Sequence, residues 1–358
     1  MAYTNIDDPS AYFQTALYAG NNTTDHNITN DGNSDLQPDF VWIKQRTSDN
    51  PHVLQDTSRG FAGNGEVNVL QSNSIAAEVT NGAFESFNTN GFGVGGTNVA
   101  SGAYNLSGSN YVAWQWKCNA GTTASNSDGD INSTVQVNSD AGFSIVQYVP
   151  TNTTARSIGH GLGVQPQVVI VRNRNRVENW RVFHRSAGTT GSLKLDDATA
   201  YNSSTTLFTG DSTSTVFKVG TDFSVNGNYP YVAYCFAEKQ GYSKFGSYVG
   251  NGNANDGVFV YTGFKPAFLM IKVTNTSGNW FMTDHKRNPF NLTDDWLVAN
   301  GSGAETNYVN ASSVDYLSNG FKLRTTYSEA NTSGRTYVYF AFAENPFTTS
   351  TGIPTTAR

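Results

Sequence analysis

At 358 residues the chain is too long for one ordinary hydrophobic core and suits two to four compact units. A net charge of −6 with few, scattered Lys and Arg excludes a phosphate-binding surface for nucleic acid, and aromatic residues at 13% exclude a disordered chain. No stretch approaches the roughly 20 apolar residues that span a bilayer, so membrane insertion is not expected.

The opening "MAYTNIDDPSAYF" is acidic and lacks an apolar h-region, which reads as no secretory signal peptide. Cys118 and Cys235 are the only cysteines. They fall in different repeats, so both are expected as reduced thiols of a chain folded in a cytosol. The run "PDFVWIK" (38–44) follows, and it returns as "PQVVIVR" (166–172) and "PAFLMIK" (266–272). Each time a proline opens an apolar strand and a cation closes it. Behind each copy comes a second apolar segment: "PHVLQDTSRG" (51–60), "NWRVFHRSAG" (179–188) and "NWFMTDHKRN" (279–288). Short runs "VLQSN", "LKLDD" and "WLVAN" come next. Strand pairs around a turn are then expected in "FNTNGFGVG" (87–95), "VGTDFSVN" (219–226) and "LSNGFKLR" (317–324). Asn-Gly in the first and third supplies the positive φ of a tight hairpin.

Each copy closes on its clearest strand: "YVAWQWKC" (111–118), "YVAYCFAE" (231–238) and "YVYFAFAE" (337–344). Period-two alternation sets Val112, Trp114 and Trp116 on one face, with Val232, Tyr234 and Phe236, then Val338, Phe340 and Phe342, as counterparts. Smaller groups such as Ala113, Ala233, Cys235, Ala341 and Ala343 take the other face. Trp116, Phe236 and Phe342 are expected in the core, with Trp42, Val171 and Ile271 or their neighbours in equivalent layers. The prolines are 128 and then 100 residues apart, and the excess sits in the polar stretch 119–142. Internal repeats of this size predict three tandem β-sandwich domains of jelly-roll or concanavalin-like type with very little helix. The expected boundaries are 1–118, a linker at 119–142, 143–240, 241–346 and a C-terminal tail at 347–358.

Candidate chemistry is sparse. Asp128, Asp130 and Asn132 alternate as in a calcium loop, but Ser133 and Ser139 stand where glycine and glutamate belong, so the segment reads as acidic linker. "GHGLGVQP" (159–166) leads into a strand instead of a helix, which favours a turn over a phosphate cradle. The basic run Arg172 to Arg176 reads as a solvated strand end. Among His26, His52, His160, His184 and His285 there is no zinc spacing and no nucleophile elbow. His184 and His285 follow Trp180 and Trp280 and read as equivalents, with Asp56 near the matching place in the first copy. Glu238 and Glu344 end equivalent strands, Lys117 holds that place in the first copy, and they read as sheet-edge charges. No catalytic, cofactor-binding or metal-binding residue is assigned, no cofactor is expected, and no ligand-binding residue is singled out.

"YFQTALYAGN" (12–21), "PDFVWIKQR", "LQDTSRG", "SFNTNGFGVG" and "NYVAWQWK", with "GFSIVQYVPTN", "GHGLGVQPQVVIVRNR" and "NWRVFHR" in the second copy, resemble a family of structural proteins of tailed, mostly marine, bacteriophages. The resemblance covers about residues 3 to 346. The third copy departs most, with "DGVFVYTGFKP" in place of the "GHGLG" turn. It implies a non-enzymatic virion component of the tail (tail fibre or tail-associated) or the capsid surface, with lectin-like sandwich modules. It would be made in the host cytoplasm and carried in the virion. The implied partners are other virion proteins and further copies of the chain, with host surface glycan as a possible further contact; neither nucleic acid nor membrane insertion is implied. A virion polysaccharide depolymerase and a cellular lectin or adhesin are the alternatives.

Overall fold

Each proline-led run forms an inner strand of a large antiparallel sheet, because its mostly apolar or aliphatic-stemmed residues leave no face for water. In the computed structural model, which describes residues 3–151, 154–307 and 314–355, Phe40–Gln45, Val168–Asn173 and Phe264–Val273 are buried along their whole length. Each pairs with the closing strand of its own copy, Asn110–Trp116, Tyr231–Phe236 or Thr336–Pro346. On the far side of the closing strand lie Phe13–Ala19, Phe143–Tyr148 and Ser243–Val249. The three proline-led strands therefore belong to three separate sheets of six, seven and six strands. The protein is all-β. A 3-10 turn at Pro9–Ala11 is the only helix among the described residues.

A small sheet covers one face of each large one: His26–Thr29, Gly91–Val94 and Phe84–Asn88 in the first copy, Arg156–Gly159 and Val216–Val219 in the second, and Phe259–Tyr261, Gly320–Leu323 and Val314–Leu317 in the third. We call each pair of sheets a unit. Between them sits a local apolar core containing the small-face residues: Ala113 in unit 1, Ala233 and Cys235 in unit 2, Ala341 and Ala343 in unit 3. The bulky face does something else. Val112, Trp114, Trp116, Val232, Tyr234, Phe236, Val338, Phe340 and Phe342 all enter one cluster that draws on every unit. At its centre the Trp116, Phe236 and Phe342 rings form a triangle with centroids 6.5, 5.6 and 5.8 Å apart. An apolar void of about 20 Å³ remains there, and such a space stays dry for want of polar partners.

The register makes Trp42, Ile170 and Met270 equivalent, facing Trp114, Tyr234 and Phe340. Val171 and Ile271 point instead into the local cores. Stretch 119–142 carries the strands Ala124–Asn126 and Ser133–Asn138, which extend the second large sheet at its edge. The alternation of Val135 and Val137 was the signal that its polar composition masked. The tail packs on unit 3 through the Phe347 amide on the Gly263 carbonyl, and Asp7 accepts from the Ser350 amide at 2.6 Å.

The hairpins of units 1 and 3 form, but their glycines act differently. Gly91 has φ 108° and its Cβ would lie 1.9 Å from the Ile28 carbonyl. Gly320 is not in the positive-φ region, and only close approach to the Val260 carbonyl at 2.1 Å requires it. In unit 2 residues 221–226 form no strand, and Val216–Val219 pairs with Arg156–Gly159 instead.

Candidate functional site at the seams between units

The cation that closes each proline-led strand marks where one unit grips the next. Lys44, Arg172 and Lys272 are all fully buried. Arg172 donates to the Ala76 carbonyl of unit 1, and Lys272 to the Ala198 carbonyl of unit 2 at 2.8 Å. Lys44 turns to its own Gln45 carbonyl at 2.7 Å. Burial pulls all three cations down, Lys44 and Lys272 to about 8 and Arg172 to about 10. The basic run at 172–176 is thus no solvated strand end. Arg172 is interior, Arg174 is ion-paired, and Arg176 lies over the Phe223 and Tyr229 rings.

Beside each cation two backbone bonds clasp the neighbour. The Glu78, Tyr201 and Glu305 amides donate to the Arg174, Thr274 and Arg46 carbonyls at 2.7, 2.8 and 2.8 Å. In return Glu178, Gly278 and Asn50 donate to Ile75, Ala198 and Ser302. The same clasp occurs at all three seams, in the same register. A closed ring with no free unit edge at its clasps results.

Two seams add a buried charge chain. Between units 1 and 2, Arg59 holds Asp56 at 2.5 Å and Glu78 at 2.9 Å; Glu78 reaches Arg174 at 2.6 Å, and Tyr234 donates to Asp56 at 2.7 Å. Between units 3 and 1 the chain repeats: Arg287 holds Asp284 at 2.6 Å and Glu305 at 3.0 Å, Glu305 reaches Arg46 at 2.6 Å, and Trp114 Nε1 donates to Asp284 at 3.1 Å. Burial works against both guanidiniums, but the adjacent carboxylates outweigh it and hold them above their ordinary range. Burial likewise works against ionised Asp284, and Arg287 outweighs it and keeps that carboxyl low.

The third seam, between units 2 and 3, replaces every member. Register places His184 opposite Val168, as Asp56 opposes Phe40 and Asp284 opposes Phe268. Three residues on, Ala187 stands for Arg59 and Arg287, while Tyr201 and Thr274 stand for the outer Glu and Arg. His184 puts Nε2 3.3 Å from the Tyr339 carbonyl and its ring against Phe340. The true equivalent of His184 is therefore Asp284, one residue before His285. "DTSR" (56–59) and "DHKR" (284–287) share an Asp-x-x-Arg spacing that could have shown this.

Burial holds the His184 imidazole down to about 4, and pulls His52 down as well. A histidine held neutral in the fold is protonated first in the unfolded chain, so its contribution is complete above about pH 6.5 and is lost as pH falls from there toward 4. For His184 that loss is about 3 kcal/mol. Denaturant titrations at pH 7.5 and 4 should show it, and His184→Gln, which keeps a donor for Tyr339, should remove that part of the difference. An equal loss in the variant would contradict it.

The other sequence candidates stay apart. Asp130 accepts from Ser157, and Asp128 from Asn126. His160 bonds the Thr213 carbonyl. Glu238 is held by Lys244 and Glu344 by Lys265, at the ends of central strands instead of sheet edges. Among the described residues no cluster of three His, Cys, Asp or Glu has metal-ligand geometry, and no helix is long and apolar enough to cross a membrane. Both cysteines are free and buried.

No curated protein and no solved structure matches the chain. One family profile does, over residues 8–346, a span that takes in all three units as a single match. The chain therefore belongs to the family described as "Domain of unknown function (DUF7483)".

Proposed function

We propose that the protein acts by contact and assembly, as a non-enzymatic structural component of a phage particle, in the tail or on the capsid surface. In this reading its three units are lectin-like sandwich modules. The observation that carries the reading is the fate of its deepest charges. Asp56, Arg59, Asp284 and Arg287 have side chains with no exposure, and the two aspartates accept from Tyr234 and Trp114 of a neighbouring unit. Such groups serve a rigid scaffold, since a general acid or base must reach substrate. Their closed ring leaves the small sheets and polar loops outward for virion partners, further copies of the chain or host surface glycan.

Purified protein should release no reducing sugar from host envelope polysaccharide, and should self-associate in sedimentation or bind proteins from purified particles. Steady oligosaccharide release, abolished by one Asp or Glu substitution, would overturn the reading in favour of a depolymerase. A monomer with no affinity for any virion protein would equally count against it.

A further inference from the structure

The small sheets of the three units begin on equivalent edge strands, His26–Thr29, Arg156–Gly159 and Phe259–Tyr261, but those edges are treated differently. In unit 2 the edge is closed from within the chain. Ser133–Asn138 pairs with Phe143–Tyr148 of the large sheet, and just before it Ile131 bridges Ile158 of the small one. The Ile131 amide donates to the Ser157 carbonyl at 3.2 Å, and Asp130 accepts from the Ser157 amide at 2.9 Å. The chain draws this closing segment from residues 117–142. Between Phe236 and Ser243 there are only residues 237–242, which leave no strand to spare for unit 3.

The edge of unit 3 is therefore bare. The Leu323 amide donates to the Val258 carbonyl and the Thr262 amide to the Asn319 carbonyl, so Val258, Val260 and Thr262 turn their backbone groups toward Gly320–Leu323. Alternation then points the N–H and C=O of Phe259 and Tyr261 out of the sheet's edge. Among the described residues these groups make no backbone bond. The Tyr3 hydroxyl reaches the Tyr261 hydroxyl at 3.3 Å and leaves that backbone unpaired. Val260 enters the local core, whereas Phe259 and Tyr261 are 45% and 53% exposed. Unit 1 places Asn27 and Thr29 around its own buried Ile28, and polar side chains suit an edge that faces water. A bare edge carrying two exposed aromatic rings is instead a template for another strand. Charges beside it are balanced, Lys322 holding Asp256 at 2.9 Å and Arg324 holding Asp315 at 2.6 Å.

We propose that this edge joins two copies of the chain, as antiparallel strands about a twofold axis at Val260. In that register Phe259 stands opposite Tyr261 of the second copy, and Tyr261 opposite its Phe259. Both residues are outward-facing, so each such pair exchanges its N–H and C=O groups and none of them is left unmatched. Opposed side chains lie on one face of a sheet, which sets Phe against Tyr in two aromatic cross-strand pairs. Val260 meets its own copy on the core face. The edge is thus its own complement, as an isologous contact requires. Strands this short bury little surface, so the dimer is a weak one, in the micromolar range. The inference rests on the contact reading only for the expectation that copies meet, and it names where they do.

Sedimentation velocity of the full chain over a concentration series should show a monomer–dimer equilibrium. Phe259→Lys with Tyr261→Lys opposes like charges in both cross-strand pairs and should weaken the dimer by about tenfold or more. Phe259→Lys with Tyr261→Glu alters the same two positions but opposes unlike charges, and should recover most of that loss at low salt. Melting temperatures should hold in both, because neither side chain belongs to the core. A Lys/Glu variant as weak as the Lys/Lys one would overturn the twofold register. A dimer untouched by Lys/Lys would overturn the edge. So would a monomeric parent, and if Phe259 and Tyr261 were then needed to bind a protein of purified particles, the edge would belong to a foreign strand. Those outcomes leave the contact reading standing, whereas sugar release by a chain that still pairs at this edge would remove that reading and leave the dimer.

Discussion

Arg59→Ala should destabilise the whole molecule by about 3–5 kcal/mol, the cost of leaving a buried charge without its partner. Asp56 has no exposure and would keep only the Tyr234 hydroxyl and the backbone N–H of position 59 for company. Glu78 would retain Arg174. The repeat itself supplies the control. The double variant Asp56→His, Arg59→Ala copies the arrangement that unit 2 uses, and should recover a substantial part of the loss, because no unpaired carboxylate remains at the seam. Denaturant midpoints of the two variants check this, and a double variant no better than the single would contradict it.

Trp116→Ala should cost a similar 3–5 kcal/mol, and the loss should be felt by every unit. The ring lies 5.0 and 5.2 Å from Phe13 and Phe40 of unit 1, 6.5 Å from Phe236 of unit 2, and 5.6 Å from Phe342 of unit 3. Its Nε1 is buried without a partner. Trp116→Phe, the residue at both sister positions, therefore removes an unsatisfied donor worth about 1–3 kcal/mol as well as apolar area. It should stay within about 1 kcal/mol of the parent chain. Native-state hydrogen exchange should show Trp116→Ala accelerating the strands Tyr231–Phe236 and Thr336–Pro346 as well as its own; protection there left unchanged would contradict the shared core.

Strand content, the repeat and the two faces of the closing strands were legible in the sequence because period-two alternation is local. What the bulky face packs against was not. A row of Val, Trp and Trp is the same string whether it meets a second sheet of its own unit or two other units around an axis. Val135 and Val137 were hidden in a polar stretch, since the residues that alternate with them on their strand are polar. The seam chemistry was half visible. "DTSR" and "DHKR" were both in view, but tryptophan-anchored alignment matched His184 to His285 and so missed the Asp-x-x-Arg pair.

That three repeats form one cooperative body is tested most directly by scanning calorimetry of the full chain at neutral pH. Shared core, clasps and charge chains predict one transition whose calorimetric and van't Hoff enthalpies agree. Two or three resolved transitions, each assignable to a unit, would contradict it.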